Sequence, residues 1–217
     1  MLVTEGENSI GIMDKLIEES KEDAIKTMKE MIAIPSISPM SGGEGESKRA
    51  DYLQALLKSF GFEVKRYDYS DGKALRSNLV VKQGNFASTI WIIVHIDTVS
   101  PGDLSLWKHN PFEAYVEDGK IFGRGTSDNG QEVIASIYAL KAVKESGIQK
   151  GYNFGLAMVA DEELGSKYGV QKLLQENIFG NNDLFLVPDA GSKSGDKIET
   201  AEKGLLWRKV TITGKQV

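Results

Sequence analysis

The chain has 217 residues, 41% apolar and 26% charged, the balance of a globular protein that buries a core of one to one and a half domains. Lys and Arg number 26 against 31 Asp and Glu, a net charge of −5 without any basic run, so a dedicated nucleic-acid surface is not expected. The lack of cysteine excludes disulfides, thiolate metal sites and cysteine nucleophiles.

Along residues 14–32 the apolar side chains Leu16, Ile17, Ala24, Ile25, Met28, Met31 and Ile32 fall on one face, predicting a helix that stops ahead of Pro35. A Ser/Gly/Pro loop follows, then a helix over residues 48–60 closed by Gly61. Residues 62–67 and 78–81 read as strands. Residues 89–95 form a near-continuous β-branched and aromatic run, the pattern of a strand covered on both faces. A hairpin turning at Glu117, Asp118 and Gly119 comes next, then a helix over 130–146, a buried strand over 152–160, a helix over 166–175 and a short buried strand over 183–187. This alternation predicts an α/β sandwich with a mostly parallel sheet. A further strand is expected over 204–214, so the chain reads as cut just after a strand begins. The N-terminus has neither the basic start nor the apolar stretch of a signal peptide, and the longest apolar run, residues 90–94, is too short to span a bilayer. A cytoplasmic protein with no membrane partner is therefore expected.

Four segments carry the polar chemistry. His95 and Asp97, two residues apart on an extended chain, leave the same face. They are either a core histidine satisfied by an acid or a ligand with its orienting partner. In GRGTSDNG, glycines frame Asp128 ahead of a helix. The spacing fails the dinucleotide fingerprint, because Asp128 stands where a third glycine belongs and would repel a pyrophosphate. Asp128 then either caps the helix or is turned toward something bound. Asp161, Glu162 and Glu163 follow a buried strand as a solvated acidic loop or as carboxylates sharing a cation. Asp189 follows another strand as a turn residue or as a ligand. Each bland reading holds singly. Together, however, three strand ends and a glycine turn deliver these groups to the crevice where open α/β sheets bind ligands. One imidazole with several carboxylates suits Zn²⁺, Mn²⁺ or Co²⁺, and the excess of carboxylates points to two ions bridged by one of them. Metal-assisted hydrolysis, with a bridging water and a spare carboxylate as base, is the chemistry that follows.

The set H-x-D (His95, Asp97), GRGTSDNG, DEELGS and VPD, with W-x-x-x-P-F and DGKIFGRG, resembles the co-catalytic zinc aminoacylase and carboxypeptidase family. That family includes acetylornithine deacetylase, succinyl-diaminopimelate desuccinylase, glutamate carboxypeptidases and dipeptidases. The resemblance implies a three-layer α/β/α sandwich of the zinc-exopeptidase type and hydrolysis of an amide in short peptides or N-acyl amino acids. By the same resemblance, His95 and Asp189 are ligands of one metal, Glu163 is a ligand of a second, and Asp128 bridges both, with a cis peptide often following it. Asp97 supports His95, and Glu162 is the general base. Two divalent ions are implied, zinc first and cobalt or manganese as alternatives. V-P-D-A leans toward dipeptidases and carboxypeptidases.

The family's catalytic domain is interrupted by a lid that carries its dimer surface, and a further histidine ligand comes after that lid. Here the other histidine, His109, does not match a ligand position and reads as a loop residue. Trp107 and Phe112 read more simply as loop packing than as a pocket rim. The expected division is an N-terminal extension over 1–13, the catalytic part over 14–201 and the start of a lid over 202–217. Homodimerisation belongs to the whole protein, and little or no hydrolysis is expected of these residues alone. The competing reading is a non-catalytic metal-binding or interaction module of the same fold.

Overall fold

The computed structural model describes residues 5–148, 151–191, 194, 196–201, 204, 206, 208 and 210–214, with side chains from residue 11 onward. Helices α1 (Glu5–Glu19) and α2 (Lys21–Ile32) replace the single helix expected over 14–32, and α1 begins inside the expected extension. The division falls at Ser20, whose hydroxyl donates to the Leu16 carbonyl at 2.8 Å, a back-bond that bends helices. Helix α3 (Ser47–Ser59) and strands β1 (Val64–Ser70), β2 (Leu75–Gln83) and β3 (Thr89–His95) follow. β1 and β2 run further than their apolar patterns because each completes the other's ladder.

The hairpin β4 (Tyr115–Glu117) and β5 (Lys120–Phe122) turns through Asp118 and Gly119, both at positive φ, as a two-residue hairpin loop requires. Helix α4 (Gln131–Ser146), strand β6 (Asn153–Val159), helix α5 (Val170–Gln175) and strand β7 (Leu184–Leu186) complete the order. α5 starts later than expected because Gly165 and Ser166 adopt positive φ ahead of it. The expected strand over 204–214 falls partly outside the described residues, and its described positions lie in no regular element.

The main sheet has the order β1-β2-β6-β3-β7. β2 is antiparallel to both neighbours and β3 is parallel to both of its own, so four strands point one way and β2 alone is reversed. Alternation of side chains assigns the faces. Leu79, Val81, Val94, Leu156 and Met158 pack with the apolar sides of α2, α3 and α4. Val80, Trp91, Ala157 and Val159 face Leu173 of α5 on the opposite side, giving three α/β/α layers. Trp91 is anchored there by Nε1 donating to Asp183 at 2.8 Å.

One expectation for the sheet is corrected. β7 is a three-residue edge strand whose residues are about half exposed, where a buried strand was expected. Its far side has no strand partner among the described residues, so apolar character there does not bring burial. No helix among the described residues is long and apolar enough to cross a membrane.

Candidate functional site

The parallel strands β3 and β6 end together and β7 ends three residues short of them, and the polar groups gather just beyond. His95, the last residue of β3, is 3% exposed. Its Nε2 lies 2.9 Å from Asp128, 3.5 Å from Asp189 and 4.0 Å from Glu162. Two triplets, His95–Asp128–Glu163 and His95–Glu162–Asp189, each offer ligand atoms within 4.8 Å of one another. All four residues assigned by resemblance as ligands, together with Glu162, therefore meet in one place.

Asp128 arrives there through a sharply bent backbone. Gly125 sits at φ 84° with Thr98 so close that a Cβ would stand 2.6 Å from its methyl, and a Cβ on Gly130 would stand 2.2 Å from the Gly125 carbonyl oxygen. Asp128 makes no cap bond to α4 and turns to His95 instead, which decides against the capping alternative. The peptide bond from Asp128 to Asn129 is cis.

Asp97, 1% exposed, stands against His95 with both its main chain and its carboxylate. The contact nearest to His95 Nδ1 is the Asp97 main-chain carbonyl at 3.1 Å, with the carboxylate at 3.5 Å. The Asp97 carboxylate accepts the main-chain N–H of Glu162 at 3.0 Å and of Glu163 at 3.3 Å. One acid thus ties the end of β3 to the turn after β6. Because a carbonyl accepts only, the Nδ1 proton is fixed and Nε2 is directed at the carboxylates.

Asp161 does not belong with its two neighbours. It is 3% exposed and pairs with Arg76 at 3.1 Å, while its other oxygen accepts the Tyr168 N–H at 3.2 Å. Arg76 also clasps Glu46, both fully buried, and reaches Asp71 at 3.3 Å. Burial works against the Arg76 charge, but Glu46, Asp161 and Asp97 hold it well above the ordinary value. This network braces the turn that presents Glu162 and Glu163. Nothing local in the sequence marks it, since Glu46 and Arg76 are 30 residues apart.

The site's electrostatics favour a cation. Burial alone would lower the pKa of His95, yet the Asp97 contact and the charges of Asp97, Asp189 and Glu162 raise it to about 9. Burial pushes the Glu162 carboxyl up, and Asp189, Asp97 and Asp128 add to the rise. Burial and then Asp128 do the same to Glu163. Carboxylates that resist ionising together, around an imidazole whose Nε2 faces them, form a donor set suited to a divalent ion. Beside Glu162 and Asp189 opens a cleft of ≈ 560 Å³ with Phe185, Leu186 and Pro188 on its apolar wall.

His109 lies outside this centre, exposed and edge-on to Tyr115 at 4.4 Å. Trp107 packs its own loop, donating to the Pro101 carbonyl at 3.0 Å beneath the Arg124 guanidinium.

Strand-end carboxylates around one imidazole on a three-layer α/β scaffold define a metallohydrolase architecture. The chain belongs to peptidase family M20/M25/M40, whose profile matches residues 91–206. It is 40% identical over 207 residues to an uncharacterized metallohydrolase of Methanocaldococcus jannaschii, across 90% of this chain and 50% of that protein. To the succinyl-diaminopimelate desuccinylase of Ehrlichia canis it is 29% identical over 200 residues, across 89% and 50%. An M20 family metallo-carboxypeptidase from Sulfolobus solfataricus superposes with a TM-score of 0.65 at 26% identity, over 77% of this chain and 37% of that one. The chain spans about half the length of the curated relatives it matches.

Proposed function

We propose that this chain carries most of the reaction centre of a metal-dependent hydrolase that cleaves an amide bond in a short peptide or an N-acyl amino acid. The observation that carries this reading is the convergence on His95 Nε2 of Asp128, Asp189 and Glu162, with Glu163 alongside. His95, Asp128 and Asp189 would hold one divalent ion, and Asp128 and Glu163 a second, zinc before cobalt or manganese. When bound, such ions supply Lewis acidity for the scissile carbonyl and for the attacking water.

The chain's own groups do the rest. Glu162 is half-buried among carboxylates and its pKa is raised, which makes it a stronger base than a free glutamate. It takes the proton of the attacking water and returns it to the leaving nitrogen. Asp97 fixes both His95 and the Glu162–Glu163 main chain, so imidazole and base keep their spacing during proton transfer. The apolar wall beside Asp189 receives the substrate's side chain and excludes water from it. Residues 14–201 are read as the catalytic part and 202–217 as the entry to a lid through which the whole protein pairs as a homodimer.

The test is turnover on a panel of dipeptides and N-acyl amino acids by a protein of the relatives' full length, with zinc and after chelation. Hydrolysis that chelation abolishes and zinc restores is expected. Turnover indifferent to chelation would overturn the metal-dependent reading, and no turnover with zinc present would favour a non-catalytic module.

A further inference from the structure

Asn129 lies in the GRGTSDNG motif, and the sequence pattern assigns it no task. In the structure it is 2% exposed and occupied at both ends. Its Oδ1 accepts the main-chain N–H of His95 at 3.1 Å. Its Nδ2 donates to Asp189 Oδ1 at 2.6 Å, and that same oxygen lies 3.5 Å from His95 Nε2.

The geometry of the sheet explains why an amide stands there. The N–H of Ile96 donates to Val159 of β6, so by alternation the N–H of His95 points to the β7 side. The pairing of β3 with β7 ends at Ile92 and Leu186, so the His95 N–H has no strand partner. A buried N–H in that position needs an acceptor, and Asn129 provides it. Asp189, on the turn after β7, has a side chain 34% exposed and would otherwise be free to choose among rotamers. Few small side chains can accept at one end and donate at the other; an aspartate offers acceptors only and a leucine offers neither.

We propose that Asn129 is the positioning residue of the centre: it holds Asp189 Oδ1 at a fixed distance from His95 Nε2, and thereby sets the geometry in which both meet a divalent ion. This rests on the reading of Asp189 as a ligand. One lone pair of Oδ1 receives the amide and the other stays directed into the site, as is usual for ligating carboxylates.

A double-mutant cycle tests it, with Zn²⁺ alone as the probe in calorimetric titration. Asn129→Ala is expected to weaken Zn²⁺ binding roughly ten- to a hundredfold. In an Asp189→Ala background the same change is expected to cost several-fold less, because the carboxylate it positions is gone and only the acceptor of the His95 N–H is still lost. The Co²⁺ absorption spectrum of Asn129→Ala should resemble that of Asp189→Ala, a signature that general loosening of the fold would not produce. Equal losses in both backgrounds, or no loss in either, would overturn the proposal. If Asp189→Ala itself leaves Zn²⁺ affinity unchanged, the ligand reading fails. If Asp189→Ala weakens binding and Asn129→Ala does not, only the positioning role fails. Should Asn129→Ala not fold, the cycle is run with Asn129→Ser and read by the same outcomes.

Discussion

Replacing Arg76 by methionine keeps an unbranched apolar stem and removes the charge and all the donors. The variant leaves the carboxylate of Glu46, 0% exposed, without its partner, and takes from Asp161, 3% exposed, the guanidinium it pairs with. Breaking a buried ion pair by removing one member typically costs about 3–5 kcal/mol, and two stranded carboxylates place this case at the upper end. Set against a stability on the order of 5–15 kcal/mol, that is a large fraction of the total. With a slope of about 2 kcal/mol/M, the urea midpoint should fall by roughly 2 M. Burial already raises the pKa of Glu46, and the loss of Arg76 removes what opposes that rise, so the variant's fold binds a proton there more tightly than the unfolded chain. The loss should therefore shrink as pH falls from 7 toward 5 and grow as pH rises. Urea titrations monitored by the fluorescence of buried Trp91 measure both effects, and the double variant Arg76→Met with Glu46→Leu should recover part of the loss. A midpoint shift below 0.5 M (roughly 1 kcal/mol at that slope), or a loss that deepens toward acid pH, would refute the claim that this network braces the site.

In a protein of full length, Glu162→Ala should keep its metal and lose about 10²–10⁴-fold in turnover, whereas Glu163→Ala should lose metal; the opposite pattern in metal analysis would exchange the two assignments. The chain itself should bind one Zn²⁺ tightly at most, because once His95 and Asp189 serve the first ion, Asp128 and Glu163 are what the described residues leave for the second. Zinc at a hundred times its Kd should then raise stability by about 2.7 kcal/mol, readable as a rise in Tm. Gly130→Ala should destabilise by about 1–3 kcal/mol through its collision with the Gly125 carbonyl, and a thermal melt unchanged from the parent chain would show that the turn can relax.

What could be read beforehand follows the range of the forces involved. Strand β3 shows plainly in sequence because Ile90, Trp91, Ile92, Ile93 and Val94, buried or half-buried, are covered on both faces of an interior strand. His95, Asp128, Glu162, Glu163 and Asp189 were legible as strand-end acids and one imidazole, since the sheet imposes where strands end. The exposure of β7 was not, because Leu184, Phe185 and Leu186 have the same composition as an interior strand and only their place at the edge differs. The clasp of Arg76 on Glu46 and the two-ended amide of Asn129 join residues 30 and 60 positions apart, and such pairs leave no trace in local periodicity.

Because β3 lies between β6 and β7, with His95 opposite Val159, the ladder acts as a gauge for the chemistry. A slip of one residue would carry the imidazole through to the other face of the sheet, where Val94 and the apolar sides of α2, α3 and α4 lie. No intermediate setting exists, since side chains on a strand take one face or the other. The tolerance of the centre is thus the tolerance of main-chain pairing, a few tenths of an ångström, although most of its acids stand on turns. Substitutions on the exposed helical faces can accumulate without disturbing it, while any change that shifts the pairing of the central strands removes the whole constellation at once.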